Sequence, residues 1–210
     1  MLSSRSYPKN KIPMRRLSVL LLLALTLPAH AQEWGEGFSI QVGTGLGRTL
    51  TTVLYEVESE YESKGQDLTI GNFSPTFTVS GVFEIQELTE IVLRAGISRY
   101  TRRIDQYGVF GTDPYGRPRY DIKGVPVKSW KKNVVVPSTT VLLRLLWGGG
   151  SFFESYSEIG FGISFVDGVK SVPAVTPFAF RAGGEHLYFF VENTYSPDAL
   201  FLHIGLGWHL

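Results

Sequence analysis

The sequence predicts an all-β protein, an antiparallel, eight-stranded, up-and-down β-barrel that crosses a membrane. Three observations predict it. Apolar residues alternate with small or polar ones along most of the chain, the pattern of strands with two unlike faces. The connections between these segments alternate between short and long. Glycines (23 of 210) and aromatics (13%) are abundant, while helical periodicity is scarce.

The first element is a targeting segment. Met14-Arg15-Arg16 is basic, Leu17 to Leu27 is apolar but for Ser18 and Thr26, and Pro28-Ala29-His30-Ala31 is a small-x-small site. This layout predicts a secretory signal peptide over 1–31, cleaved after Ala31, with the barrel over 32–210. Either Met1 or Met14 is the start. The apolar run is too short for a spanning helix, which needs roughly 20 apolar residues.

Strands follow in order. Phe38, Ile40, Val42, Thr44 and Leu46 share one face; Ser39, Gln41, Gly43 and Gly45 share the other. Phe73 to Ile85 alternates likewise, with Phe77, Val79 and Phe83 against Thr76, Thr78, Ser80 and Glu84. Ile91, Leu93, Ala95 and Ile97 oppose Val92, Arg94, Gly96 and Ser98. From Val135 to Trp147, Val141, Leu143 and Leu145 share a face that Arg144 does not. Ile159, Phe161, Ile163 and Phe165 alternate with Glu158, Gly160, Gly162 and Ser164. Weaker strands run near Val172–Ala182 and Leu187–Tyr195, and the last spans Leu200 to Leu210. Gln86–Glu90, Gly148–Ser151 and Gly183–His186 are the short connections; Thr51–Asp67 and Gly108–Lys131 are the long ones. Short turns at one end and long loops at the other suit an outer-membrane barrel whose ends both lie on the periplasmic side.

The two faces decide which way the barrel is turned. Bulky aromatics occupy the apolar face; glycine, serine and charges occupy the other. A narrow eight-stranded interior admits small side chains, so the apolar face is expected to meet lipid. That assignment places Glu84, Arg94, Arg144, Glu154, Glu158, Arg181 and Glu192 inside as a paired charge network, since charges removed from water need partners. Trp34, Trp147 and Trp208, near strand ends, fit an interfacial girdle, with Trp147 and Trp208 as anchors.

Alternation continues to the final residue through Leu202, Ile204, Leu206, Trp208 and Leu210. It resembles the C-terminal strand signal by which barrel-assembly machinery recognises outer-membrane proteins. Asn133-Val-Val-Val-Pro137 leading into Arg144, the Ser157-Glu158-Ile159-Gly160-Phe161-Gly162 strand and the Gly205-Leu206-Gly207-Trp208 ending resemble small bacterial outer-membrane β-barrel proteins, including the PorT-like group. The resemblance covers roughly the whole mature chain. It implies an outer-membrane location and the fold, and does not imply a reaction; through the PorT-like group it raises a secretion-system assembly role.

Little in the chain suggests chemistry. The absence of cysteine excludes disulfides, thiolate metal sites, cysteine nucleophiles and a lipidated N-terminal cysteine. Lys and Arg (20) nearly balance Asp and Glu (19), and no bias towards nucleic acid follows. Lipid A-modifying barrels use Ser and His, yet only His186, His203 and His209 follow the signal segment, and no nucleophile–base pair can be assembled around them. His203 falls on the lumen face and reads as a packed structural residue. No metal-ligand spacing is present, and Gly43-x-Gly45-x-Gly47 lies in a strand with no following helix, unlike a phosphate loop. No catalytic residue, cofactor or metal is expected.

The long loops are the remaining candidate. Glu56, Glu58, Glu60 and Glu62 line one side of an alternating stretch, and Tyr100-Thr-Arg-Arg103 and the segment with Arg117, Arg119, Lys123, Lys128, Lys131 and Lys132 are basic. These charges pair across hairpins above the membrane, or they form a surface for lipopolysaccharide phosphates, divalent ions or an extracellular or secretion-system protein. The expected function is a non-enzymatic outer-membrane barrel with a filled lumen, acting in membrane structure or surface interaction. The alternatives are a small pore or transport component, a secretion-assembly component and, least favoured, a lipid A-modifying enzyme.

Overall fold

The computed structural model describes residues 37–55, 61, 64–121, 124–150, 152–184 and 186–210. The expected signal peptide, Trp34, Glu56, Glu58, Glu60, Glu62 and Lys123 lie outside the described residues. The elements are β1 (Phe38–Leu46), α1 (Leu50–Tyr55), β2 (Gln66–Gly71), β3 (Thr76–Gln86), β4 (Thr89–Gln106), β5 (Val109–Thr112), β6 (Pro118–Tyr120), β7 (Lys128–Gly149), β8 (Phe153–Phe165), β9 (Val169–Gly183), β10 (Leu187–Tyr195) and β11 (Leu202–His209).

Eight of these strands close into an antiparallel barrel, in the order β1-β3-β4-β7-β8-β9-β10-β11 and back to β1. The seam pairs Ser39 with His209 and Leu46 with Leu202. Closure leaves no unpaired edge within the barrel, which an open sheet would expose along its length.

Alternation sorts the side chains as the sequence requires. Ser39, Gln41, Thr78, Ser80, Arg94, Thr140, Arg144, Glu158, Thr176, Glu192 and His203 are buried inside. Phe77, Val79, Ile97, Val141, Leu143, Leu145, Ile159, Phe161, Phe189 and Leu206 are exposed on the outer wall. The inside is therefore polar and the outside apolar, the reverse of a water-soluble barrel. A small apolar layer of Val82, Val92, Leu142 and Ala174 interrupts the polar filling.

Period two is broken once within β9. Val172, Ala174 and Thr176 point inwards, Pro177 and Phe178 are both exposed, and then Ala179 and Arg181 point inwards. The register against β8 shifts at this point, between Tyr156 and Glu158. A bulge of this kind adds one residue to a strand and re-aims everything after it. Without it, Arg181 would share a face with Val175 and lie on the outer wall.

The two ends of the barrel differ. The β3–β4, β7–β8 and β9–β10 connections are short and lie at the end that holds both Phe38 and His209. At the opposite end β4 and β7 continue far above their neighbours, pairing to Gln106 and Lys128. There β2 takes the place of β3 beside β4, pairing Gln66 with Gln106 and Gly71 with Thr101. Tyr100, Val134, Val136 and Val166, with Ile70 and Phe73 against them, form the core of this extension. The long connections thus carry structure of their own, including α1 and the β5–β6 hairpin. Two connections at this end are short, however. In residues 166–168 Asp167 and Gly168 take positive φ (45° and 126°), the backbone that an Asp-Gly turn supplies. Residues 196–201 form the other.

Candidate functional site: a buried charge network closes the lumen

Arg144 sits where three strands meet in register. Glu90 of β4 and Glu158 of β8 are its direct cross-strand neighbours on either side. Its guanidinium reaches Glu158 at 2.8 Å, Glu90 at 3.1 Å and Glu192 at 3.4 Å. It also donates to Gln41 Oε1 at 3.3 Å and lies over the Tyr156 ring, 4.1 Å from its centroid. Arg94 donates from Nη2 to both Glu192 oxygens, at 3.0 and 2.9 Å, and lies 3.6 Å from Glu158. Arg94, Arg144, Glu158 and Glu192 side chains are wholly inaccessible to solvent.

Neutral groups complete the network. Tyr156 donates its hydroxyl to Glu192 at 3.0 Å, and Thr176 donates to Glu158 at 2.9 Å. His203 bridges two strands, with Nδ1 2.6 Å from Glu192 Oε2 and Nε2 2.7 Å from Thr78 Oγ1. Nearer the turn end, Arg181 meets Glu90 at 2.9 Å and also pairs with Glu154. Three guanidiniums are therefore interleaved with four carboxylates. Such a cluster is held by mutual satisfaction: each charge would cost several kcal/mol if left alone in the interior.

The loop end has a separate closure. Residues 196–199 turn inwards, and Ser196, Asp198 and Ala199 are buried. Asp198 accepts hydrogen bonds from Ser138 (2.5 Å) and Thr140 (3.1 Å) on β7. Three glycines make space for this insertion. A Cβ on Gly45 would strike the Asp198 carbonyl and Ala199, one on Gly96 the Asp198 carboxylate, and one on Gly162 the Pro197 ring. Above it, α1 is tied down by Leu50 N–H to Ser196 O (3.0 Å) and by the Thr51–Ser164 hydroxyl pair (2.6 Å).

Of the seven lumen residues expected from sequence, Arg94, Arg144, Glu154, Glu158, Arg181 and Glu192 come together. Glu84 is a correction: it has the inward parity, but β3 ends at Gln86 and its side chain is exposed at the turn-end rim. Glu90 takes the place assigned to it. The spacing places Glu90 in the Gln86–Glu90 connection, whereas β4 begins at Thr89. Tyr156 shares the parity of Glu154 and Glu158, which was the available signal for it. Asp198 had none, because it enters the lumen from a connection rather than a strand.

Among the described residues of the expected loop surface, Arg117 stacks over Tyr115 (6.0 Å) and Arg119 lies on β6, both exposed. Lys128 lies over Trp130 (5.7 Å) at the start of β7. Trp147 and Trp208 face outwards, 64% and 39% exposed.

The chain matches no protein-family model and no curated protein. Among the described residues no group of three or more His, Asp or Glu is arranged to hold a metal ion.

Proposed function

We propose that the protein is an outer-membrane barrel with a sealed lumen, acting in membrane structure or at the cell surface and not as a catalyst or an open pore. One observation carries this reading: a closed barrel with fully buried Arg–Glu clusters inside and a continuous apolar wall outside. A soluble protein rarely exposes a contiguous apolar patch beyond a few hundred Å², whereas lipid demands such a surface. On β7 the outward residues from Val135 to Trp147 cover about 40 Å along the strand, or about 30 Å along the barrel axis at a tilt of about 40°. That matches a hydrocarbon core of about 30 Å.

Fractionation of the native host, with boiled and unboiled samples compared on a gel, tests the location. An outer-membrane band whose mobility changes on boiling is the expected result; a soluble periplasmic protein without a shift overturns it. Planar-bilayer recording tests the seal. The expected trace shows no steady conductance, and stable ohmic channels would establish the pore alternative instead.

A further inference from the structure

The outward face of the β4–β7 extension continues upwards from the apolar wall, and its chemistry changes abruptly. Ile97, 48% exposed, is the last apolar outward residue of β4. Two positions on is Arg99, opposite Val135, and four beyond that Arg103, opposite Lys131. All three basic side chains are exposed. Arg103 and Lys131 form a like-charged cross-strand pair, an arrangement that disfavours strand pairing. Arg103 shares the carboxylate of Asp105, at 3.0 Å. Arg99 and Lys131 have no acidic partner among the described residues. The acids on this face, Asp105 and its cross-strand neighbour Asp67, occupy the next outward rung, farther from the apolar wall. At the turn end the exposed charges at the rim are instead Glu87, in the β3–β4 turn, and Glu84, at the lumen mouth.

We propose that Arg99, Arg103 and Lys131 form a docking ladder for headgroup phosphates of an anionic outer-leaflet lipid. The proposal rests on the outer-membrane reading above. Height supports this occupant. With a rise of about 3.3 Å per residue and a tilt of about 40°, Arg99 stands about 5 Å above Ile97 and the Arg103–Lys131 rung about 10 Å higher. Long basic side chains reach down along apolar surface while keeping their charge in the polar layer. Arginine grips phosphate with two parallel hydrogen bonds and lysine adds a mobile point charge. A phosphate between Arg103 and Lys131 turns their repulsion into shared attraction. The Asp67–Asp105 rung, set higher, keeps the anion close to the membrane plane.

The test uses the full mature chain, refolded into phosphatidylcholine vesicles and checked by its boiling-dependent gel shift. Native mass spectrometry after detergent extraction then compares retention of bis-phosphorylated lipid A with that of its enzymatically dephosphorylated form. Wild type is expected to retain the phosphorylated lipid at least about tenfold better. The variant R99Q/R103Q/K131Q should lose that preference while folding normally, and R117Q/R119Q/K128Q should keep it. Equal retention of the two lipids by a folded wild type, or an unchanged preference in R99Q/R103Q/K131Q, overturns the ladder alone. Complete competition by millimolar inorganic phosphate overturns the lipid as the source. Failure of wild type to fold into vesicles at all, with a soluble folded form instead, defeats the outer-membrane reading beneath it.

Discussion

Arg144 and Glu158 face each other across the β7–β8 pairing with their charges 2.8 Å apart, and neither side chain has any solvent-accessible surface. The pair is a hub because Arg144 also serves Glu90 and Glu192. Arg144→Met takes one cation from three carboxylates and leaves two guanidiniums, Arg94 and Arg181, among four carboxylates, so the refolded barrel should lose about 3–5 kcal/mol. Urea titration of the gel-shifted form measures this. A loss below about 1 kcal/mol would mean that water enters the cluster and that the lumen is not dry.

His203 tests the non-catalytic reading. It holds Glu192 and Thr78, so His203→Ala should cost about 1–3 kcal/mol through unsatisfied buried partners. Lipid A from cells producing either form should have identical mass spectra. A modification made by wild type and absent with His203→Ala would make the protein an enzyme.

The glycine cradle predicts intolerance at Gly96. Gly96→Val drives a side chain onto the Asp198 carboxylate and the Ser138 hydroxyl, and overpacking of this kind costs about 1–3 kcal/mol. Limited proteolysis should cut wild type slowly at 196–201 and the variant quickly. Conductance should stay at baseline in both, since the Arg94 and Arg144 clusters lie beneath the loop.

Acid should loosen the loop end through Asp167. Burial pushes its carboxyl up, but the hydrogen bond and charge of Arg102, with Lys132 and Lys170, outweigh this and hold it below its usual value. A depressed folded-state value means that the stabilisation is full above the ordinary carboxylate value and declines as the pH drops below it. It is lost as the pH falls through the depressed value. The side chain is 54% exposed, so solvent screening limits the effect to under about 1 kcal/mol. Amide exchange at 100–104 and 130–134 should therefore speed up in acid more for wild type than for Asp167→Asn. Equal acid responses would remove Asp167 from the account.

Much of this was legible because a strand writes its two faces into every second residue. Arg94, Arg144, Glu158 and Glu192 follow from parity alone, and so does the outward position of Trp147. Parity does not say where a strand stops, and that is why Glu84 reads as interior and Glu90 as turn. Arg181 is inside although strict alternation from Val172 puts it outside, because the bulge at Pro177 is invisible to periodicity. The inserted 196–199 segment was illegible for a related reason. Its only trace is the set of small residues opposite it, and Gly45, Gly96 and Gly162 look no different in sequence from glycines that merely fit a narrow bore.

The seam between β1 and β11 carries a kinetic consequence. The pairing of Ser39 with His209 joins residues from opposite ends of the described chain, and contacts so distant in sequence form slowly because the loop they close is long. Until that pairing forms, Phe38 to Leu46 and Leu202 to His209 are open edges that bear apolar side chains, and such edges invite aggregation. An unclosed chain therefore carries two aggregation-prone edges at once, and truncation of β11 should produce inclusion bodies rather than a seven-stranded barrel.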